Sequence, residues 1–169
     1  MNKRNIILIG MPGAGKSSVG VILAKVLGYE FIDTDLVIQH REKRLLREII
    51  ADEGNEGFLA IENEVNATLE ANKSVIAPGG SAIYGKEAME HFKEIGTIVY
   101  LKLSYEDLAK RLGNLKGRGV VLKEGQTLKD LYDERSKLYE QYAEITVDES
   151  GRDIPVSYTH LTLPTNSLV

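Results

Sequence analysis

Short apolar runs alternate along the chain with longer segments in which apolar residues recur at helical spacing. That alternation predicts an α/β domain built on a parallel sheet. The predicted strands are NIILIG (5–10), YEFIDTD (29–35), SVIAPGG (74–80), TIVYLKL (97–103) and EITVD (144–148). Helical periodicity predicts Lys16 to Leu27, two short segments between Leu36 and Asp52, Phe58 to Ala71, Gly85 to Glu94, Tyr105 to Leu112 and Leu128 to Ala143. The strands are almost continuously apolar, so helices should cover both faces of the sheet. One stretch differs: GNLKGRGVVLKEGQT (113–127) is rich in glycine and charge, lies between two predicted helices and reads as a mobile loop. The ending PVSYTHLTLPTNSLV (155–169) lacks the periodicity of a closing helix. Back-translated, VSYTHLTLPT resembles an in-frame read-through of a sequencing adapter. The expectation is a domain over 1–155 that lacks its terminal helix, followed by a non-native tail over 156–169; an ordinary disordered tail is the alternative.

Composition narrows the function classes. A chain of 169 residues that is 43% hydrophobic can bury one real core. Its net charge of -4, with no long Lys/Arg run, argues against binding a nucleic-acid backbone. The absence of cysteine excludes a disulfide framework and thiolate metal sites, and a cytoplasmic location fits it. The apolar part of the N-terminus, Ile6 to Ile9, breaks at Gly10 and Pro12 and is too short for a signal peptide. No run approaches the roughly 18 apolar residues of a membrane span.

The chemistry begins at GMPGAGKS (10–17), which satisfies G-x-x-x-x-G-K-[ST] and sits between a predicted strand and a predicted helix. Its glycines let backbone N–H groups surround a phosphate, the helix adds its positive end, Lys16 adds a charge and the Ser17 hydroxyl can ligate magnesium. Nucleotide-bound magnesium also needs a carboxylate, which a parallel sheet offers at a strand end. SVIAPGG and TIVYLKL end without acids, whereas FIDTD ends with two, Asp33 and Asp35, and in extended backbone an i, i+2 pair projects to one side. One could hold water on the metal while the other orients an acceptor hydroxyl and takes its proton. Taken alone, D-x-D also fits a solvated loop. Arg118 in the glycine-rich loop is placed to act as a lid residue on a transferring phosphoryl group, with Lys116 as a substitute. Arg135 lies on an amphipathic helix among acids, where a surface i, i+4 pair is the plain alternative. Gly79 and Gly80 could present N–H groups to a substrate or form a simple turn.

In order and spacing, GMPGAGKSS, FIDTD, GNEGFLAIENE, APGGS, the loop with Arg118 and DERSKLYEQYA resemble the shikimate kinase family from about Asn5 to Asp148. The resemblance implies a P-loop kinase with a five-stranded parallel sheet in the order 2-3-1-4-5, flanked by helices and carrying a mobile lid. It implies ATP and Mg2+ and phosphorylation of the shikimate 3-hydroxyl. The expected partners are ATP and a small hydroxyl-bearing substrate, with no nucleic acid and no membrane, and a monomer is expected. It places Gly13, Ala14, Gly15, Lys16, Ser17 and Ser18 on the nucleotide phosphates, Ser17 and Asp33 on the metal, and Asp35 on the acceptor hydroxyl. Arg118 becomes the lid arginine, Arg135 a cation for the substrate carboxylate, and Arg152 a residue near the adenine.

Three positions depart from that pattern. Leu59 stands where the family usually has an arginine that helps bind the carboxylate, a charge-assisted hydrogen bond worth roughly 1.5–3 kcal/mol. Ser81 replaces a third glycine, and RGVV replaces the arginine-proline start of the lid. Leu59 lies about a quarter turn off the Phe58, Ile61, Val65 stripe, which favours a functional replacement over a core position. A P-loop kinase acting on another small hydroxyl compound, such as homoserine or a sugar acid, is therefore the alternative. A nucleotide-binding switch is a more distant one, since no N-K-x-D motif is present.

Overall fold

The structure, a computed structural model, describes residues 4–113 and 122–151. Its strands are β1 (Asn5–Ile9), β2 (Glu30–Asp33), β3 (Ser74–Ala77), β4 (Gly96–Lys102) and β5 (Ile145–Asp148), all paired in parallel in the order β2-β3-β1-β4-β5. The expected strand order holds. β1 pairs with β3 on one side and β4 on the other, so the chain reverses its direction of travel there. In open α/β sheets that reversal opens a crevice beyond the C-terminal strand ends.

Alternating residues of the buried strands feed two separate cores. Ile7 and Ile9 of β1, Ile76 and Tyr100 face α4 (Lys86–Ile95), α5 (Tyr105–Gly113) and α6 (Leu128–Tyr142) through Met89, Phe92, Leu108, Leu131 and Tyr139. Ile6, Leu8, Val75, Val99 and Leu101 face α1 (Lys16–Leu27) through Val19, Leu23 and Ala24. Gly20 of α1 has no room for a side chain, since a Cβ there would lie 2.5 Å from the Phe31 ring, so the helix sits close on the sheet. A third cluster of Ile38, Ile49, Phe58 and Val65 joins α2 (Thr34–Glu42) to α3 (Leu46–Ala67).

Several predicted boundaries change: β3 stops at Ala77 and α3 ends at Ala67, and two differences bear on the site. The FIDTD segment does not stay extended: β2 stops at Asp33, whose side chain accepts from Asp35 N at 2.9 Å and so caps α2. The segment ending at Asp52 and the one starting at Phe58 belong to one run, α3, kinked at Gly54 with φ 73° and ψ 178°. Glycine tolerates that backbone at no steric cost, and periodicity cannot distinguish a kink from a loop. Lys116, Arg118, Arg152 and the 156–169 tail lie outside the described residues. No described helix is long and apolar enough to cross a membrane.

The base of the sheet is pinned by Asn5, which is 4% exposed. Its Nδ2 donates to Ala71 O at 3.0 Å and Ile95 O at 2.9 Å, while its Oδ1 accepts from Ser74 N at 3.0 Å. One side chain thus ties the start of β1 to the segments entering β3 and β4. Asn5→Ala should leave one buried and two partly buried backbone groups without this partner and lower stability by about 2 kcal/mol, read as a lower urea midpoint at unchanged slope.

Candidate active site

The turn from β1 into α1 is shaped by three glycines at positive φ: Gly10 (155°), Gly13 (87°) and Gly15 (90°). A Cβ at Gly10 would lie 2.8 Å from Leu101 O, so close packing against β4 also requires glycine there. α1 begins with no side-chain cap and no acid in its first turn, which leaves its N–H donors for a ligand. Lys16 folds back so that Nζ donates to Gly10 O at 2.8 Å and Met11 O at 2.9 Å. Burial pushes the Lys16 ammonium down to about 8, with the nearby Arg135 charge acting in the same direction and Asp35 and Asp33 opposing it.

This loop forms one wall of a cavity of about 760 Å³, within the range of small-molecule sites. Gly13, Gly15, Lys16, Ser17, Ser18, Asp33, Asp35, Gly79, Gly80 and Arg135 all line it, so the structure brings the predicted residues into one place. Ala14 does not line it; its side chain is buried against the base of the loop. Ser17 and Asp33 offer hydroxyl and carboxylate oxygens, a donor set suited to a hard cation. No group of three or more acidic or histidine ligands occurs among the described residues. A magnesium ion there would therefore take its other ligands from nucleotide phosphates and water, which is its usual habit.

Asp35 reaches the cavity from the first turn of α2, a placement set by the Asp33 cap and not by an extended i, i+2 pair. Burial pushes its carboxyl up to about 6, with Asp33 adding repulsion and Lys16 opposing. Beside it is a residue that motif reading misses. Glu62 of α3 is 1% exposed, and its Oε1 accepts from Ser81 Oγ at 2.6 Å. Its other oxygen, Oε2, has no partner among the described residues. Burial and the Asp35 charge raise Glu62 to about 7, against the Ser81 bond and the charges of Arg135 and Lys16. Glycine is required at position 79, since a Cβ would lie 2.8 Å from Glu62 Oε2 and 2.9 Å from Asp35 Oδ1. The departure at Ser81 is thus a hydrogen-bond donor to a buried acid.

Arg135 is 3% exposed, which excludes the surface-pair alternative; the i, i+4 pair of α6 is Lys129 with Asp133. Its guanidinium lies 5.5 Å from the Tyr84 ring centroid, and its Nη1 would be 3.0 Å from a Cβ at Gly80. Gly80 O in turn accepts from Tyr139 Oη at 2.6 Å. Leu59 behaves differently from its expectation. It is half-buried, packs on the Ile38, Ile49, Phe58 cluster and is not among the residues that line the cavity. Arg111 is a further residue that no motif indicates; its Nη1 donates to Gly13 O at 3.1 Å and ties α5 to the phosphate loop. Arg118 and Arg152, the lid and adenine expectations, lie outside the described residues.

The family model for shikimate kinase matches residues 12–162, most of the chain. The chain belongs to the shikimate kinase family. It is 34% identical over 154 residues to shikimate kinase 2 of Yersinia enterocolitica, covering 86% of each chain, and 33% identical to that of Yersinia pseudotuberculosis over the same length and shares. Among solved structures it resembles the shikimate kinase of Acinetobacter baumannii in complex with shikimate, with a TM-score of 0.83 and 33% identity, covering 99% of this chain and 97% of that one. The chain is accordingly an ATP-dependent kinase acting on a hydroxyl group.

The buried acid of this shikimate kinase family site has a measurable signature. Unfolded, Glu62 titrates at its ordinary 4.5; folded, it is raised to about 7, so the native state binds the proton more tightly. Its contribution is fully favourable below the unfolded value and is lost as pH rises through the folded one, at about 1.4 kcal/mol for each pH unit separating the two. Asp35 changes in the same direction but its effect is complete by about 6, and the Lys16 effect lies above about 8. Between about pH 6 and pH 8 the wild type should therefore lose more thermal stability than Glu62→Gln, which keeps an acceptor for Ser81. Equal pH slopes for the two proteins would contradict the burial of an ionisable Glu62.

Proposed function

We propose that the protein transfers the γ-phosphoryl group of ATP to the 3-hydroxyl of shikimate. The observation that carries this reading is that the glycine turn with Lys16, the Asp35 carboxylate and the buried Arg135 line one cavity. A phosphate cradle, a proton acceptor and a buried cation are the three parts needed to move a phosphoryl group onto the hydroxyl of a small acid. The shikimate complex of the Acinetobacter relative supports the choice of acceptor.

The chemistry then follows from placement. The N–H groups around Gly13 to Ser18 and the Lys16 ammonium hold the nucleotide phosphates, while Arg135 holds the acceptor carboxylate and Gly79 and Gly80 carry backbone close to it. Asp35 orients the acceptor hydroxyl. As the hydroxyl oxygen bonds to the γ-phosphorus, the bond to the bridging β–γ oxygen breaks, the hydroxyl proton passes to Asp35 and ADP leaves. Ser17 and Asp33 would hold Mg2+, which supplies neutralisation of phosphate charge when bound. Arg118 is assigned to the lid and Arg152 to the adenine side by family resemblance. A monomeric enzyme in the cytoplasm is part of the same proposal.

Magnesium-dependent ADP release measured with shikimate, homoserine, gluconate and no acceptor tests the reading. Turnover should require shikimate, and strong turnover with another acceptor alone would replace it. Asp35→Asn should lower kcat by about 10²- to 10⁴-fold with the KM for ATP little changed, the size expected for a lost general base.

A further inference from the structure

The shikimate reading leaves a charge problem. Three acids, Asp33, Asp35 and Glu62, line the cavity, and a carboxylate-bearing acceptor brings a fourth negative group. The cavity's cations among the described residues are Lys16, Arg135 and Arg47. Lys16 belongs to the phosphate loop, with Nζ on the Gly10 and Met11 carbonyls. Arg135 has its Nε buried without a partner among the described residues, which marks the acceptor side as a place where an anion is awaited. Leu59 offers no charge and is not among the residues that line the cavity.

Arg47 is the unusual member. It lies in the first turn of α3, where the positive end of the helix disfavours a cation. The arginines before it in the chain are engaged: Arg41 of α2 pairs with Glu64 at 3.0 Å, and Arg44, between α2 and α3, pairs with Asp52 at 3.1 Å and Glu53 at 3.4 Å. Arg47 makes no ion pair among the described residues and lines the cavity alongside Leu46 and Ile50. An exposed cation set against the local field, without an acid among the described residues and lining a binding cavity, is free to take a ligand as its counter-charge. Its planar fork of donors matches a carboxylate.

We infer that Arg47 is the second cation of the acceptor site, binding the substrate carboxylate together with Arg135 in place of the arginine that position 59 lacks. The inference rests on the shikimate reading. Arg47 acts in binding and makes no contact with the transferring group, so its loss moves KM for the acceptor and spares the chemical step. The hydrophobic cluster beneath it does not depend on its charge.

Steady-state kinetics with shikimate and with its methyl ester, on wild type, Arg47→Ala, Arg47→Lys and the off-cavity control Arg41→Ala, tests this, with thermal melts confirming that each variant folds. Arg47→Ala should raise the KM for shikimate by about tenfold to a hundredfold, with kcat and the KM for ATP within about threefold of wild type. Arg47→Lys should recover part of that loss, and Arg41→Ala should leave the KM within about twofold. For the methyl ester, which has no carboxylate charge, wild type and Arg47→Ala should differ by less than about twofold. An unchanged shikimate KM in Arg47→Ala, or equal losses with acid and ester, overturns the inference while leaving the function intact. A wild type that ignores shikimate overturns the function itself, and this inference with it.

Discussion

The site is organised by the turn that leaves β1. Gly10 passes so close to β4 that no side chain fits, and Gly13 and Gly15 take left-handed backbone that only glycine adopts freely. Because β1 is the central strand, bound to β3 and β4 and anchored at its base by Asn5, the loop inherits the rigidity of the whole sheet. Catalysis by positioning needs such a reference point, since phosphoryl transfer asks the protein for placement and charge more than for covalent chemistry.

Around that fixed loop, the acceptor half is an exercise in holding like charges together. Asp35 and Glu62 approach each other across Gly79, and burial raises both. Ser81 relieves one oxygen of Glu62 with a 2.6 Å bond, and the other has no partner among the described residues. The two departures from the family pattern near this point thus differ in kind. Ser81 joins the site's hydrogen bonds, whereas Leu59 packs, half-buried, on the α2–α3 cluster.

What the sequence discloses depends on whether chemistry is local in the chain. The phosphate loop is contiguous, and its strand-to-helix setting is visible from periodicity, so Gly13 to Ser18 can be placed before any fold is known. The strand order follows from family resemblance and not from pattern. Asp33 and Asp35 line the same cavity as the phosphate loop, but through a helix cap and not an extended pair, because a cap that ends a strand looks like more strand. Glu62 escapes because it owes its significance to partners far along the chain, Ser81 and Gly79, and Arg47 because only the fold brings it to the cavity that Arg135 also lines. Leu59 is misjudged because helical spacing gives angles around one helix, whereas the direction of the core there is set by α2 packing against α3.

Proton-coupled phosphorus NMR of a reaction containing the protein, ATP, magnesium and shikimate would show whether Asp35 and the glycine turn direct one phosphoryl group onto one hydroxyl. A phosphate ester resonance coupled to the ring proton at carbon 3 should grow in step with ADP. Inorganic phosphate as the sole new phosphorus signal, or an ester at a different carbon, would contradict it.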